Sequence, residues 1–536
     1  GGAYVPIDPA YPDDRIEYIV EDTQSQLILT STAHHSRMNS ILVSSKRKNI
    51  PVDSILTEPY PSCNLNIPID KVNMAYVICT SGTTGKPKGT ALPHTGLCNL
   101  FHWYCNAFQI TAKDRVLVIS SFSFDLTQKN LLGVLLGGGQ VHLFASSLYD
   151  VEAIIQNLFS KSITLINCTP SAFYPLLEGV ASRNQIQTLR YAFLGGEPII
   201  LNRLEAIVRM KLPCRVVNTY GPTECSDVTH SYIMANDMIL SNFSVPIGMP
   251  IFNTKCYVLN RDLNPLPLGA IGELCISGVG VARGYVNKPM LTSEKFIANP
   301  FILDEKQVSN TNIRIYKTGD MVRWKSGGII EYVGRNDFQV KIRGYRIELE
   351  EIEKTILDFE GIKQVIILVK NNNQHQNNDN YLVSYYVSDT QIDEQNLFIY
   401  LQTRLPNYMV PSFLIHLDHI PLTVNGKIDR RALPEPELKK TVVYVAPRNE
   451  FEEKICIIWS EILGLSVTQI GVYDDFFKLG GNSLLIIRLL SKFKRHFQYN
   501  VGIDVFFKHS TIDQFTYFLR HTHNDVQNSI ITEGEL

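Results

Sequence analysis

The stretch TSGTTGKPKG, Thr80 to Gly89, gathers hydroxyls, glycines and the ammoniums of Lys86 and Lys88 into ten residues. Such a composition suits phosphate, because glycines let backbone N–H groups approach an anion while hydroxyls and ammoniums bind its oxygens. It is not a P-loop. That motif needs four residues between its first glycine and the Gly-Lys pair, followed by a Ser or Thr that holds a metal. Here only Thr83 and Thr84 separate Gly82 from Gly85-Lys86, and Pro87 stands at the metal-ligand position, where it would strain a helix. Alone, a loop of this kind is more often a solvated turn.

Other chemistry-bearing residues have equally ordinary readings when taken singly. Asp125 precedes Lys129 by four residues, as a helix cap with its ion pair would. Glu224, ending NTYGPTE, is either a helix-start carboxylate or a hard oxygen ligand suited to Mg²⁺. Asp320, in YKTGDMVRW, sits in a turn from which a carboxylate can accept from both hydroxyls of a ribose. Lys427, in NGKIDR, belongs to an Asn-Gly turn that is ordinarily solvated, yet a point charge on a flexible stem can also be delivered to a site. Ser483 follows LGGN at the start of a helical run, where it caps the helix or places a phosphate at a favourable N-terminus.

These residues need elements to position them. At 536 residues, and about 150 residues per domain, the chain reads as three or four units. The runs MAYVICT (74–80), RVLVISS (115–121), ITLINC (163–168) and RVVNTY (215–220) alternate with helical stretches, the pattern of α/β layers with mostly parallel strands. Ligands collect at strand ends in such folds. Beyond about residue 330 the style becomes α+β: amphipathic ELEEIEKTIL (348–357), the strands VIILVK (365–370) and YLVSYYV (381–387), and between them an Asn/Gln tract that reads as a hairpin loop. The segment 433–449 reads as a linker, and FEEKICIIWSEIL (451–463) and SLLIIRLLSKFKRHF (483–497) as helices of a small all-α bundle.

Bulk properties exclude several classes. The net charge of −2 makes no broad case for nucleic acid or a membrane surface. Ten cysteines without a C-x-x-C argue against a zinc ribbon or redox pair and fit reduced thiols in a cytoplasmic enzyme. No apolar run approaches the roughly 18 residues of a membrane span. The chain opens GGAYVPID without methionine and ends in a polar tail, so both ends read as cut from something longer.

Read together, GGAYVPIDPAYPDDRI, TSGTTGKPKG, NTYGPTE, YKTGDMVRW, GRNDFQVKIRGYRIE and NGKIDR closely resemble, in order, the core motifs of nonribosomal peptide synthetase adenylation domains, members of the adenylate-forming superfamily. DDFFKLGGNSLLIIRLL (474–490) resembles the modification site of a peptidyl carrier domain. The resemblance implies a large α/β adenylation subdomain over 1–334 that lacks its N-terminal part, a smaller α+β subdomain over 335–436, a linker over 437–446, a four-helix carrier over 447–523 and a tail over 524–536. It implies ATP, Mg²⁺ and 4′-phosphopantetheine as cofactors. Ser81, Thr83, Thr84, Lys86 and Lys88 would hold the β- and γ-phosphates; Tyr220 would stack on adenine, Asn218 reach its polar edge and Thr223 bind the α-phosphate; Glu224 would coordinate Mg²⁺. Asp320 and Arg335 would hold the ribose, Lys427 would bridge substrate carboxylate and α-phosphate, and Asp337 would be the hinge that brings the loop around Gly344 to the thiol.

Asp125 matches the family position that holds a substrate α-ammonium, which implies an α-amino acid. The pocket would be Asp125, Leu126, Lys129, Asn167, Phe193, Gly195, Thr219, Asp227 and Val228. If Lys129 pairs with Asp227, no charge is left for the substrate side chain, since burying an unmatched charge is costly. A neutral or small polar amino acid is then the expectation, with Lys129 reaching a substrate carboxylate as the rival. Ser483 would carry the pantetheine, with Gly480 and Gly481 leaving room for a phosphopantetheinyl transferase; Asn482 stands where many relatives have His or Asp. Partners would be that transferase and neighbouring synthetase domains, such as condensation or termination domains, with no nucleic acid or membrane. Alternatives are the adenylation–carrier part of an aminoacyl reductase, an acyl-CoA ligase-like enzyme with a free acceptor, or a non-catalytic fragment.

Overall fold

A computed structural model describes residues 2–42, 47–55, 63, 66–82, 85–144, 149–240, 244–302, 313–337, 339–342, 344–371, 380–390, 392–421, 428–436, 444–476, 479, 481, 483–497, 505–506 and 509–519. Contacts divide the chain into two compact units, one of residues 1–145, 151–351 and 403–406, the other of 146–150, 352–402 and 407–536.

The first unit is built on a seven-stranded sheet. Its strands Gln140–Leu143, Arg115–Val118, Leu165–Cys168, Tyr191–Gly195 and Arg215–Tyr220 lie side by side and parallel, and His230–Ile233 and Met249–Pro250 extend it antiparallel. Leu165 to Cys168 and Val216 to Tyr220 are buried without interruption. Burial along the whole length is what strands covered on both faces show, and the polar Asn167, Asn218 and Thr219 within these runs are confined to their carboxyl-end halves. Under them Phe108 meets Phe193 edge-on at 4.7 Å, and Tyr104 meets Phe193 at 5.1 Å. Asn167, Gly195 and Thr219 fall near the carboxyl ends of these parallel strands, the side where open α/β sheets bind ligands.

Met74–Thr80 departs from the parallel expectation. It pairs antiparallel with Lys88–Pro93, which in turn pairs with Gly284–Tyr285. The link of residues 81–87 explains why. A parallel crossover needs about a dozen residues or more, whereas a hairpin closes in a few. The TSGTTGKPKG stretch is therefore a hairpin connection whose last lysine is already the first residue of a strand.

An antiparallel sheet carries Thr254–Leu259, Ile271–Gly278, Arg314–Lys325 and Phe296–Ala298 in that order, with Ile329–Arg335 also paired to Arg314–Lys325. Its register sets Asp320 directly opposite Arg335. A small hairpin, Val340–Ile342 with Tyr345–Ile347, turns at Gly344, whose φ of 78° suits glycine.

In the second unit Ile362–Asn371, Asn380–Ser388 and Phe413–Leu417 form a three-stranded sheet. Most of the Asn/Gln tract, 372–379, lies outside the described residues. Helices Glu450–Leu463 and Ser483–Phe497 match the two sequence-read helices of the bundle, and a third spans 512–519. Asn449 caps the first, its Oδ1 accepting from the Glu452 N–H at 3.0 Å, and Gly464 ends it with φ 66°. The core between them is aromatic: Trp459 meets Phe476 at 4.9 Å, and Phe476 meets Phe506 at 5.1 Å.

Gly481 has a structural reason to be glycine. A Cβ there would lie 2.2 Å from the Phe476 ring and 2.5 Å from the Phe476 carbonyl oxygen. Gly481→Ala is expected to destabilise the bundle by about 1–3 kcal/mol through overpacking. Urea unfolding, with hydrogen exchange on the amides of Glu450–Leu463, measures it; unchanged protection would mean that Phe476 can move aside.

Candidate active site

Four of the expected site segments converge in the first unit. The phosphate-type loop is held from below by Arg346, Glu348 and Glu351, residues at and just after the end of the small hairpin. The Ser81 hydroxyl donates to the Arg346 carbonyl at 2.7 Å, and the Gly82 N–H donates to Glu351 Oε2 at 3.1 Å. Glu351 in turn pairs with Arg15 at 2.7 Å, both side chains at least 95% buried. The two lysines have different environments. Lys86 is exposed, its Nζ 4.9 Å from the Tyr18 ring centre. Lys88 is buried, over the Tyr285 ring at 5.1 Å and 3.7 Å from Glu348. Burial, then the Arg346 charge, lower the Lys88 ammonium to about 8, against the pull of Glu224 and Glu348. Thr83 and Thr84 lie outside the described residues.

Glu224 is the centre of the cluster. It is fully buried, and Arg346 Nη1 lies 3.1 and 2.9 Å from its two oxygens while the Tyr285 hydroxyl donates to Oε1 at 2.7 Å. Burial alone would raise this carboxyl. Arg346, Lys88 and the Tyr285 hydrogen bond outweigh it and hold the group at about 2. Neighbouring Thr223 faces the other way, donating to Asp125 Oδ2 at 2.5 Å.

The nucleoside-type residues form a second cluster. Tyr220 donates to Asp320 Oδ2, and Arg335 Nη1 donates to Asp320 Oδ1 at 2.6 Å, as the cross-strand register requires. Arg335 also forks onto Asp337 at 2.6 and 2.7 Å, so the expected ribose residues and the expected hinge share one guanidinium. Lys341 Nζ lies 5.7 Å over the Tyr220 ring. Asn218 Nδ2 donates to the Pro246 carbonyl at 2.8 Å, so this donor is engaged within the protein.

Beside Thr223 lies the expected acid pocket. Asp125 caps Leu126–Gln128, with Oδ1 accepting from the Leu126 N–H at 2.8 Å. Lys129 opens a π-turn, Lys129–Gly133, of the kind often found at functional sites, and its Nζ lies 2.5 Å from Asp227 Oδ2. Asp227 and Ser226 both adopt left-handed backbone, φ 70° and 64°, a strain retained where a side chain has to be aimed. Burial pushes the Asp227 carboxyl up to about 6, with Lys129 opposing and Asp125 adding to the shift. The i,i+4 pairing of Asp125 with Lys129 is thus replaced by partners distant in sequence, Thr223 and Asp227. Phe193 and Val228 are buried at this end of the sheet, and Thr219 Oγ1 donates to the Leu194 carbonyl at 3.2 Å. Gly344 packs on Thr169, where a Cβ would approach Cγ2 to 2.1 Å.

Lys427, Gly480 and Asn482 lie outside the described residues; Ser483 is the first residue of its helix. Sequence reasoning passed over Arg346, Lys341, Glu348 and Tyr285. The first three stand inside the quoted GRNDFQVKIRGYRIE stretch, whose crowding of cations beside a glycine was the available signal. Tyr285 carried none.

Residues 1–286 match the AMP-binding enzyme family. The chain belongs to that family. Residues 453–519 of this AMP-binding enzyme match the phosphopantetheine attachment site family. It is 40% identical to gramicidin S synthase 2 of Brevibacillus brevis over 540 residues, covering 100% of this chain and 12% of that protein. It is 38% identical to tyrocidine synthase 1 of Brevibacillus parabrevis over 535 residues, covering 99% of this chain and 47% of that one. The chain thus spans less than half the length of these relatives. Among solved structures it is similar to a holo NRPS protein containing adenylation and PCP domains bound to a vinylsulfonamide inhibitor, with TM-score 0.76, 26% identity, and coverage of 97% of this chain and 84% of that chain. The α/β adenylation architecture followed by a carrier bundle is the fold of this chain. No helix among the described residues is long and apolar enough to cross a membrane.

The residues fit the groups that the family uses. Glu224 offers a hard carboxylate, and the described residues contain no cluster of three or more metal-ligating side chains, so phosphate oxygens would complete the ligand set of a Mg²⁺ ion. Both Glu224 oxygens are engaged by Arg346, so a Mg²⁺ ion held by Glu224 would have to share or replace that contact.

Arg346→Ala is expected to cost about 3 kcal/mol at pH 7, because it strips the main partner from a buried carboxylate. The sign with pH follows. Glu224, held near 2, contributes stability that is present above its ordinary 4.5 and is lost as pH falls through 2. Without Arg346 the buried carboxylate takes up a proton at higher pH, so the variant's deficit shrinks at pH 4. Urea unfolding at both pH values tests this; equal deficits would show that Glu224 does not depend on Arg346.

Proposed function

We propose that this chain activates an α-amino acid with ATP as aminoacyl-AMP and transfers it to a thiol carried on Ser483, as one module of a nonribosomal peptide synthetase. The supporting observation is the placement of Thr223 and Glu224, adjacent in sequence, between two environments. Thr223 touches the pocket carboxylate Asp125 and Glu224 sits against Lys88 and the loop, so an amino acid on one side meets a polyphosphate on the other.

The substrate ammonium sits on Asp125, and its carboxylate oxygen attacks the α-phosphorus as the bond to pyrophosphate breaks. Positioning and charge neutralisation account for such a step, without covalent help from the protein. Ser81, Thr83, Thr84, Lys86 and Lys88 receive the leaving pyrophosphate; Thr223 and Lys427 hold the α-phosphate; Asp320 and Arg335 hold the ribose and Tyr220 and Asn218 the adenine. Glu224 would hold Mg²⁺, which would neutralise charge on the phosphate oxygens, and Asp337 is the hinge that withdraws Lys427 and brings the loop around Gly344 towards the thiol. The adenylation subdomains span 1–334 and 335–436, joined by 437–446 to a carrier over 447–523. A 4′-phosphopantetheine on Ser483, added by a transferase, supplies a tethered thiol, for which effective concentration replaces affinity. Condensation or termination domains of a synthetase fit as neighbours.

Amino-acid-dependent ATP–pyrophosphate exchange tests the first half, and a pantetheine mass increment that disappears in Ser483→Ala tests the second. Absence of exchange with every amino acid, while ATP binds, would remove the activation reading. Lys88→Ala is expected to slow exchange about 10- to 100-fold, the value of a charge-assisted contact, and to leave transfer from preformed adenylate largely intact. Equal loss in both steps would refute the assignment to pyrophosphate.

A further inference from the structure

The Lys129–Asp227 pair decides between the two substrate readings that the sequence leaves open. Its side chains are 1% and 9% exposed and 2.5 Å apart, and the ammonium also lies 3.4 Å from the Leu126 carbonyl. Each partner is presented by irregular backbone, a π-turn on one side and two left-handed residues on the other. Asp125, Asp227 and Lys129 together leave one negative charge, which a substrate α-ammonium neutralises. A side-chain carboxylate would add a second negative charge to this pocket, or take Lys129 and leave Asp227 buried without its partner. A basic side chain would do the converse, claiming Asp227 and leaving Lys129 unpaired. Unpairing a buried ion is among the costlier events in a protein interior.

The uncharged polar groups nearby are not self-satisfied. Tyr76 is fully buried, its hydroxyl lacks a hydrogen-bond partner among the described residues, and it feels both Asp125 and Asp227. Asn167 Nδ2, at the end of the sheet where the pocket lies, is likewise buried and unpartnered, and so are both amide atoms of Asn130, next to Lys129. Buried donors and acceptors that the protein leaves open are costly unless a ligand meets them. An aliphatic or aromatic side chain meets none of them; a hydroxyl or carboxamide can accept from Asn167 and donate to or accept from Tyr76.

We infer, on the footing of the amino-acid-activation reading, that the acid selected has an uncharged, hydrogen-bonding side chain of the hydroxyl or carboxamide class, with Lys129 and Asp227 forming a self-neutralised wall and Tyr76 and Asn167 supplying the polar contacts. Lys129 is then a specificity residue through its partner, since it keeps Asp227 closed to cations and is itself closed to carboxylates.

Pyrophosphate exchange across the twenty amino acids, with the chain as it stands, should be strongest with serine, threonine, asparagine or glutamine and at least tenfold weaker with aspartate, glutamate, lysine, arginine, leucine and phenylalanine. Asp227→Asn releases Lys129 and should raise aspartate- or glutamate-dependent exchange at least tenfold over the unaltered protein. If that variant fails to fold, the paired replacement of Lys129→Met with Asp227→Leu leaves no lone charge and should move the preference towards aliphatic side chains. Strongest exchange of the unaltered protein with a charged or a large apolar amino acid would overturn the inference and leave the activation reading intact. Exchange with none of the twenty, while ATP still binds, would overturn both. An unchanged preference in the paired variant would show that the wall does not select.

Discussion

A carboxylate with no exposure to water has to be matched inside the protein, and Glu224 shows how far that requirement reaches. Its two oxygens bind one guanidinium and one phenol, from Arg346 and Tyr285, with Lys88 close by. Those three groups come from the small hairpin, from a two-residue strand and from the strand that leaves the glycine-rich loop. Matching Glu224 therefore ties the loop, the hairpin and the sheet to one point. The Arg346 backbone takes part as well, since its carbonyl accepts from Ser81. Anything that draws the guanidinium away acts on the loop and the hairpin together.

The neighbouring clusters follow the same rule at lower stringency. Asp320 is closed by Tyr220 and Arg335, Asp125 by Thr223 and the Leu126 N–H, Asp227 by Lys129. The pairings of Asp320 and Asp125 occupy atoms to which the proposed chemistry assigns a substrate, whereas that of Asp227 closes it to one. The site is thus internally satisfied, and its ligands have to replace these contacts with ones as good. Tyr76 and Asn167 are exceptions, as buried polar groups that nothing in the described protein satisfies.

Much of this was legible in the sequence because the groups that do chemistry are clustered along it. TSGTTGKPKG, NTYGPTE and YKTGDMVRW each bring several of their residues to the site, and the β-rich runs MAYVICT and RVVNTY that carry the first two were readable as strands. The expected turn at Asp320 is instead part of the strand Arg314–Lys325, whose irregular mix of polar and apolar residues gave no clear strand signal. Spacing misled in two places. Asp125 and Lys129 are correctly spaced for an i,i+4 ion pair, yet a π-turn and the burial of Lys129 send them to different partners. Met74–Thr80 has the composition of a parallel strand and pairs antiparallel, since the loop that follows is too short to cross over.

Residue order alone determined the family and the two-part adenylation and carrier architecture, and it supplied the candidate nucleotide-binding groups, because motifs and hydrophobic periodicity are local properties of a chain. Tertiary structure decided which charge meets which. Arg346 reaches Glu224 across 122 positions and Lys129 reaches Asp227 across 98, separations at which sequence carries no distance information. A buried ion is set by its partner, and only folding selects the partner.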